Sequence, residues 1–239
     1  MVAASACTGS RPKLADEPAT TTTLTEPTTT TTQSTSLTEV AQARTDTIDL
    51  FADATSATPS RQITAAEATS APNIPLVFLV KDKDDERIEV YLPVEPAGSS
   101  GWVRREDVTV SSVTFRIEVS LAEHRVRVYD RGEVVLDEPA AIGTTDRPSP
   151  GVVTYIKELL QPPDANGPYG AYAYGLSGFA TDLASFNDGQ GVIGIHGTND
   201  PATVGQDVDR GCIGLTNEVI TRLVDEIGLP LGTPVEIAP

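Results

Sequence analysis

Two cysteines, Cys7 and Cys212, and two histidines, His124 and His196, are all that 239 residues provide. A closed structural zinc site draws four such ligands at close paired spacings. No CxxC or HxxxH occurs, so that class is discounted and no metal is expected. Nor is this the dense cysteine pattern of a stapled secreted scaffold; a Cys7–Cys212 bridge would only tie a tail to a domain far away in sequence. Positive charge is equally scarce. Seventeen Lys and Arg stand against 34 Asp and Glu, a net charge of −17. That is the opposite of a nucleic-acid binder's basic footprint, and it argues against holding an anionic membrane by electrostatics alone. Its plain consequence is solubility for an exported chain. No apolar run approaches the roughly 18 residues that span a bilayer.

What is present falls into three stretches. Ala3-Ala4-Ser5-Ala6-Cys7 reads like the tail of a bacterial lipoprotein signal whose charged and apolar leading segments are missing, which makes Cys7 an expected lipid anchor. Residues 8–44 carry the threonine runs Thr20–Thr23 and Thr28–Thr32 and almost no large apolar side chain. Such a segment cannot bury enough surface to offset its chain entropy, so 1–44 is expected to be a signal remnant and a disordered tether. From Thr45 the pattern changes to short alternating or β-rich runs, Thr47–Phe51, Ile74–Val80 and Arg87–Leu92, separated by the turns Lys81–Asp85 and Pro96–Gly101. These predict a small all-β module over 45–112. Its Gly101–Val108 stretch resembles the closing strand of bacterial SH3-like domains, which implies a small SH3-like β-barrel with Trp102 in its core.

Residues 113–239 are better punctuated. Arg116–Ser120 and Arg125–Tyr129 alternate as half-buried strands do, and Asp130–Glu133 turns the chain into Val134–Leu136. Pro148–Gly151 breaks the chain before Val152–Ile156. Residues 160–190, rich in Gly, Pro, Asn and Tyr, read as a long loop of the kind that carries function. One helix is predicted: Thr216 or Asn217 caps it, Val219, Ile220, Leu223, Val224 and Ile227 form its apolar stripe, and Gly228 and Pro230 stop it. Thr233–Ile237 closes as a strand. The expected fold is mainly β with one packed helix.

The chemistry-bearing residues lie 16 positions apart. Gly191–Ile195 runs apolar into His196-Gly197-Thr198, and a polar loop then leads to Arg210-Gly211-Cys212-Ile213. A thiolate attacks a carbonyl, so the sulfur needs a proton acceptor or nearby positive charge. His196 supplies the first and Arg210 the second. Gly211 leaves no side chain beside the sulfur, so backbone N–H groups can face a developing oxyanion. On spacing alone the alternative stands that Cys212 is an inert buried thiol.

The same residues resemble the L,D-transpeptidase catalytic-domain family. That family carries Ile-His-Gly-Thr, a short loop, then Ser-His-Gly-Cys, an apolar residue, often Arg, and Leu-x-Asn. Here the stretch reads Ile195-His196-Gly197-Thr198 and Asp209-Arg210-Gly211-Cys212-Ile213-Gly214-Leu215-Thr216-Asn217. The likeness extends through the 116–136 strand pair, the Gly143-Thr144 and Pro148–Gly151 turns and the Gly167-Pro168-Tyr169-Gly170 loop, about half of the chain. It implies a β-sandwich-like catalytic domain with Cys212 as nucleophile and His196 as base. The Gly197 carbonyl would orient the imidazole, the role a carboxylate plays in other triads. The backbone of Gly211 and Cys212, with Arg210, would form the oxyanion hole. Thr198 and Asn217, within the motif, are expected at the substrate. The implied reaction joins peptidoglycan stem peptides: the enzyme attacks the L-to-D amide of a tetrapeptide stem at diaminopimelate, releases D-alanine and passes the acyl group to a side-chain amine. No cofactor is implied; carbapenems typically acylate the same thiol. The chain would then work outside the cytoplasm, in the cell envelope.

Three positions depart from the family pattern: Asp209 for Ser, Arg210 for His and Gly214 for Arg or Asn, the last putting a substrate or packing contact in doubt. Tyr169, Tyr172 and Tyr174 are loop aromatics that either wall the cleft or merely pack their loop. His124, Asp182 and Asp188 read as solvated turn or loop residues. Two other functions stay open: an L,D-carboxypeptidase or endopeptidase that sends the acyl group to water, and a non-catalytic wall-binding protein with a lapsed motif.

Overall fold

A computed structural model describes residues 37–143, 151–179, 192–208 and 212–239. The expectations placed on Cys7, the tether up to residue 36, the turns at 144–150, Asp182, Asp188, Asp209, Arg210 and Gly211 lie outside the described residues.

Alternation sets the framework of the C-terminal part. In Phe115–Ser120 (β8) and Arg125–Asp130 (β9), Ile117, Val119, Val126 and Val128 are fully buried on one face. The opposite face carries ion pairs: Glu118 meets Arg116 at 3.4 Å and Arg127 at 3.3 Å, and the Arg116 guanidinium lies 4.0 Å over the Tyr129 ring. A buried aliphatic side chain contributes about 1.5–3 kcal/mol, whereas an exposed ion pair contributes at most about 1 kcal/mol. Burial therefore decides which face turns inward.

Eight further strands among the described residues join these two: Glu133–Pro139 (β10), Ala141–Gly143 (β11), Thr154–Leu160 (β12), Ala173–Phe179 (β13), Val192–Thr198 (β14), Asp207–Val208 (β15), Ile213–Thr216 (β16) and Pro234–Ala238 (β17). The sheet order is β10-β9-β8-β17-β12-β13-β14-β16-β11-β15. Residues from both ends, Val126 and Leu136 at one and Ile195 and Leu215 at the other, share one core with Ile220 and Leu223. One curled sheet thus closes around the predicted helix. Asn217–Arg222 (the main helix) starts at Thr216, whose hydroxyl accepts from the Val219 N–H. It continues as a π-helical turn, Leu223–Ile227, and ends at Gly228 in the left-handed region.

Upstream, seven strands build a second core: Thr38–Ala43 (β1), Thr47–Leu50 (β2), Arg61–Thr64 (β3), Val77–Lys83 (β4), Arg87–Tyr91 (β5), Ser100–Arg104 (β6) and Val108–Val113 (β7). Five of them form a sheet in the order β6-β5-β4-β1-β7, and β2 pairs β3. A single helical turn, Ala65–Ala68, follows β3. Phe78, Ile88, Val90 and Val103 fill the core. Trp102, expected there, is only half-buried. Alternation along β6 turns Val103 inward and Trp102 to the other side, where its backbone pairs with Phe51.

Three further readings change. Thr38–Ala43, taken from the sequence as the end of the tether, is a strand whose partners, β4 and β7, lie far along the chain. Ala173–Phe179, taken as loop, is a strand seated between β12 and β14. His124 is not a merely solvated turn residue: at φ 52° it places Nε2 3.1 Å from the Asp207 carboxylate, fastening the β8–β9 turn to β15.

The two cores meet along β12. Tyr155, Ile156, Lys157 and Glu158 are all buried in succession, because the curled sheet covers one face of the strand and the N-terminal strands cover the other. Tyr155 donates its hydroxyl to the Tyr91 carbonyl at 3.1 Å. Lys157 donates to the Ala68 carbonyl at 2.7 Å. Glu158 accepts from the Ser70 N–H at 2.7 Å and the Ser70 hydroxyl at 2.9 Å.

Candidate active site

The site grows from two adjacent parallel strands. β14 and β16 pair in register, Ile195 with Ile213 and His196 with Gly214. Ile193, Ile195, Ile213 and Leu215 all enter the core. Alternation then sends His196 and Thr198 on β14, and Gly214 on β16, to the same opposite face. The two residues singled out by the sequence lie on β14 and immediately before its neighbour β16. The Cys212 side chain is half-buried. The N–H of Gly143 in β11 holds its backbone, donating to the Cys212 carbonyl at 3.2 Å.

His196 is buried, and its Nδ1 lies 2.5 Å from the Gly197 carbonyl oxygen. A carbonyl only accepts, so Nδ1 carries the proton. The neutral ring then has its basic lone pair on Nε2. Tyr169 packs its ring edge-on against the imidazole, with centroids 5.2 Å apart and planes at 81°. The imidazole is oriented by a backbone oxygen and braced by an aromatic ring.

Asn217 locks this arrangement. Its Oδ1 accepts from the Ala171 N–H at 3.2 Å and its Nδ2 donates to the Ala165 carbonyl at 3.2 Å, which pins the Tyr169 loop to the start of the main helix. The amide sits on two glycines. A Cβ on Gly170, at φ +65°, would lie 2.0 Å from Asn217 Oδ1 and 2.6 Å from the Gly197 Cα; one on Gly197 would lie 2.2 Å from the same oxygen. Only two bare backbones let the loop approach the histidine strand so closely.

The remaining expected site residues are placed as follows. The Thr198 hydroxyl accepts from the Asp200 N–H at 3.0 Å and shapes the turn after β14. Tyr172 donates to Asp225 at 3.3 Å, and the neighbouring carboxylate pushes its phenol pKa up. Tyr174 is buried in the core and donates to the Leu223 carbonyl at 3.4 Å; burial, with Asp225 adding to it, raises its pKa. Of the three tyrosines, Tyr169 is the one that meets the imidazole. Gly214 answers to packing: a Cβ there would stand 3.2 Å from the Ala141 Cβ across the β11–β16 pair. Among the described residues no three His, Cys, Asp or Glu side chains gather into a group that could hold a metal. Sequence reasoning missed the seam residues Lys157, Glu158 and Ser70. The one signal was an adjacent Lys-Glu pair inside an otherwise apolar strand.

The profile of the YkuD family, the L,D-transpeptidase catalytic domain, matches residues 114–237. The YkuD protein of Bacillus licheniformis, assigned as an L,D-transpeptidase, is 34% identical over 128 residues, 54% of this chain and 68% of that protein. Its Bacillus subtilis namesake is 30% identical over 126 residues, 53% of this chain and 67% of that protein. A solved L,D-transpeptidase from Mycobacterium smegmatis aligns with a TM-score of 0.42 at 14% identity, covering 64% of this chain and 91% of that one. With the family's segment spanning β8 to β17 and containing both His196 and Cys212, the chain belongs to the YkuD family of L,D-transpeptidase catalytic domains.

Proposed function

We propose that this protein is a peptidoglycan L,D-transpeptidase working through a Cys212 thioester. The observation that carries the reading is the Nδ1–Gly197 hydrogen bond, which leaves the Nε2 lone pair of His196 to act as base, on a strand paired with the one that Cys212 precedes. In the first half-reaction the thiol proton passes to His196 as sulfur attacks the carbonyl carbon of the donor stem. The oxyanion forms against the backbone N–H groups of Gly211 and Cys212, with Arg210 adjacent. The C–N bond then breaks, and the departing D-alanine nitrogen takes the proton from His196. In the second half-reaction a side-chain amine of another stem attacks the thioester. The new C–N bond forms, the C–S bond breaks, and the amine's proton returns through His196 to the thiolate. No electrons are gained or lost and no cofactor takes part.

The substrate lies outside the cytoplasmic membrane, so the same reading locates the chain in the cell envelope, with Cys7 as its lipid anchor. The N-terminal strands are read as an SH3-like module, supported by their short antiparallel strands and separate core. The test is intact-protein mass spectrometry after incubation with a carbapenem, beside Cys212→Ala. An adduct on the unsubstituted chain alone supports the activated thiol; its absence would favour a non-catalytic wall-binding protein. D-Alanine release with an amine acceptor, against release into water, then separates transpeptidase from carboxypeptidase.

A further inference from the structure

We propose that Glu158, clamped by Ser70, is a positioning residue for His196, so that the N-terminal strands set the geometry of the imidazole; the inference rests on the transpeptidase reading. The contacts run in steps across the sheet. Opposite Glu158 on β13 is Gly175, and opposite Gly175 on β14 is Gly194, two residues before His196. These three share the His196 face. β12 carries one extra residue here, Lys157, between the pairs Ile156–Leu176 and Glu158–Gly175. Such a bulge re-aims side chains. Lys157 and Glu158, adjacent in sequence, both reach the N-terminal segment, one at the Ala68 carbonyl and the other at Ser70.

The Glu158 side chain lies flat on the β13 backbone. A Cβ on Gly175 would stand 2.5 Å from both its Cγ and its Oε1, so only a bare residue fits beneath it. That fixes the register of β13. A slip of one residue would carry Tyr174 out of the core. A slip of two would keep every face but bring Ala173 or Ser177 beneath Glu158. From the Gly175 row the ladders run without interruption to the Leu160–Ala173 and Ala173–His196 pairs, whereas both are irregular on the other side of it. Just before β13, the Tyr172 carbonyl accepts from the Gly197 N–H at 3.2 Å. The Gly197 carbonyl in turn takes the Nδ1 proton of His196. Ser70 therefore acts on the imidazole through Glu158, the β13 backbone and Gly197. Its N–H and hydroxyl hold the two carboxylate oxygens at 2.7 and 2.9 Å, which keeps the wedge seated over Gly175.

The experiment uses the full chain with Ser70→Ala, Ser70→Thr and Gly175→Ala. Proton NMR follows the hydrogen-bonded Nδ1–H resonance of His196, and D-alanine release from a tetrapeptide stem gives kcat and KM. Ser70→Ala is expected to move the resonance upfield and to lower kcat about tenfold with KM unchanged, since a small misplacement of reacting groups costs up to about 10²-fold. Ser70→Thr, which keeps both donors, should restore both readings. Gly175→Ala, which forces Glu158 off its seat, should match Ser70→Ala. If Gly175→Ala fails to fold, Ser70→Ala, on a half-buried residue, still decides. A resonance unchanged in Ser70→Ala would overturn the proposal whatever happens to kcat, because lost stability alone lowers the folded fraction and leaves the folded signal in place. A shift with kcat unchanged, or one that Ser70→Thr does not reverse, would overturn it as well. A reversible shift in a chain that neither releases D-alanine nor acylates Cys212 would support the positioning while refuting the transpeptidase reading.

Discussion

Replacing Glu158 by Gln should uncouple the two cores. Glu158 is fully buried, accepts two hydrogen bonds from Ser70 and lies 3.7 Å from the buried Lys157 ammonium. Burial pulls the Lys157 pKa down, and the Glu158 carboxylate opposes that shift. Neutralising the acid takes a counter-charge away from the buried Lys157 ammonium. It also turns an amide donor toward one of the two Ser70 donors. Removing one partner of a buried pair costs about 3–5 kcal/mol. At 3.7 Å the ion contact is loose, so the lower end applies, about 3 kcal/mol. For a chain of this size that lowers Tm by about 6–12 °C. The assay follows from the composition: Trp102 is the only tryptophan and reports on the N-terminal strands, while alkylation of Cys212 in a Cys7→Ser background reports on the curled sheet. Urea unfolding should shift from coincident to separate transitions. A loss below about 1 kcal/mol with the two probes still coincident would refute the view that the seam depends on this carboxylate.

Asn217→Ala removes both hydrogen bonds that hold the Tyr169 loop and should cost about 1–3 kcal/mol and roughly tenfold in kcat for D-alanine release. Asn217→Asp, which keeps the Oδ1 contact to Ala171, should recover part of that rate. Gly170→Ala combines a left-handed backbone, about 1–2 kcal/mol for a residue with a Cβ, with overlap on Asn217 and Gly197. Its urea midpoint should therefore fall by more than that term alone allows. Tyr155 is fully buried with its phenol pKa raised by desolvation. The unfolded chain therefore loses this proton near pH 10 while the native state keeps it. The stability it contributes is complete below pH 10 and declines above it at about 1.4 kcal/mol per pH unit. Tyr155→Phe should flatten that alkaline slope and, by leaving the Tyr91 carbonyl without its donor, cost about 1–3 kcal/mol at neutral pH; denaturant titrations at stepped pH values measure both.

Local pattern was enough wherever a residue's neighbours along the chain decide its environment. The period-two runs of β8 and β9 declare their inner face, and Thr216 and Gly228 declare the ends of the main helix, because capping is a contact over three or four residues. The family was also legible in the His196 and Cys212 segments, since a motif is written in residue type and spacing along the chain. Other features were settled only by distant partners. Thr38–Ala43 is a strand because β4 and β7 supply its hydrogen bonds, and nothing within its six residues states that. Ala173–Phe179, with two glycines and a serine, takes its extended form from the ladders on either side. Lys157 and Glu158 look like solvent-facing residues; they are buried because the N-terminal strands cover that face of β12. Asn217 lies within a motif suggestive of substrate, and the fold instead brings its amide to a loop some fifty residues upstream. Neighbours along the chain fix which faces are apolar and where the helix begins and ends. Distant segments settle what covers each face, and so which polar groups are buried, partnered and placed beside His196, because burial and long-range hydrogen bonding arise from parts of the chain that meet only on folding.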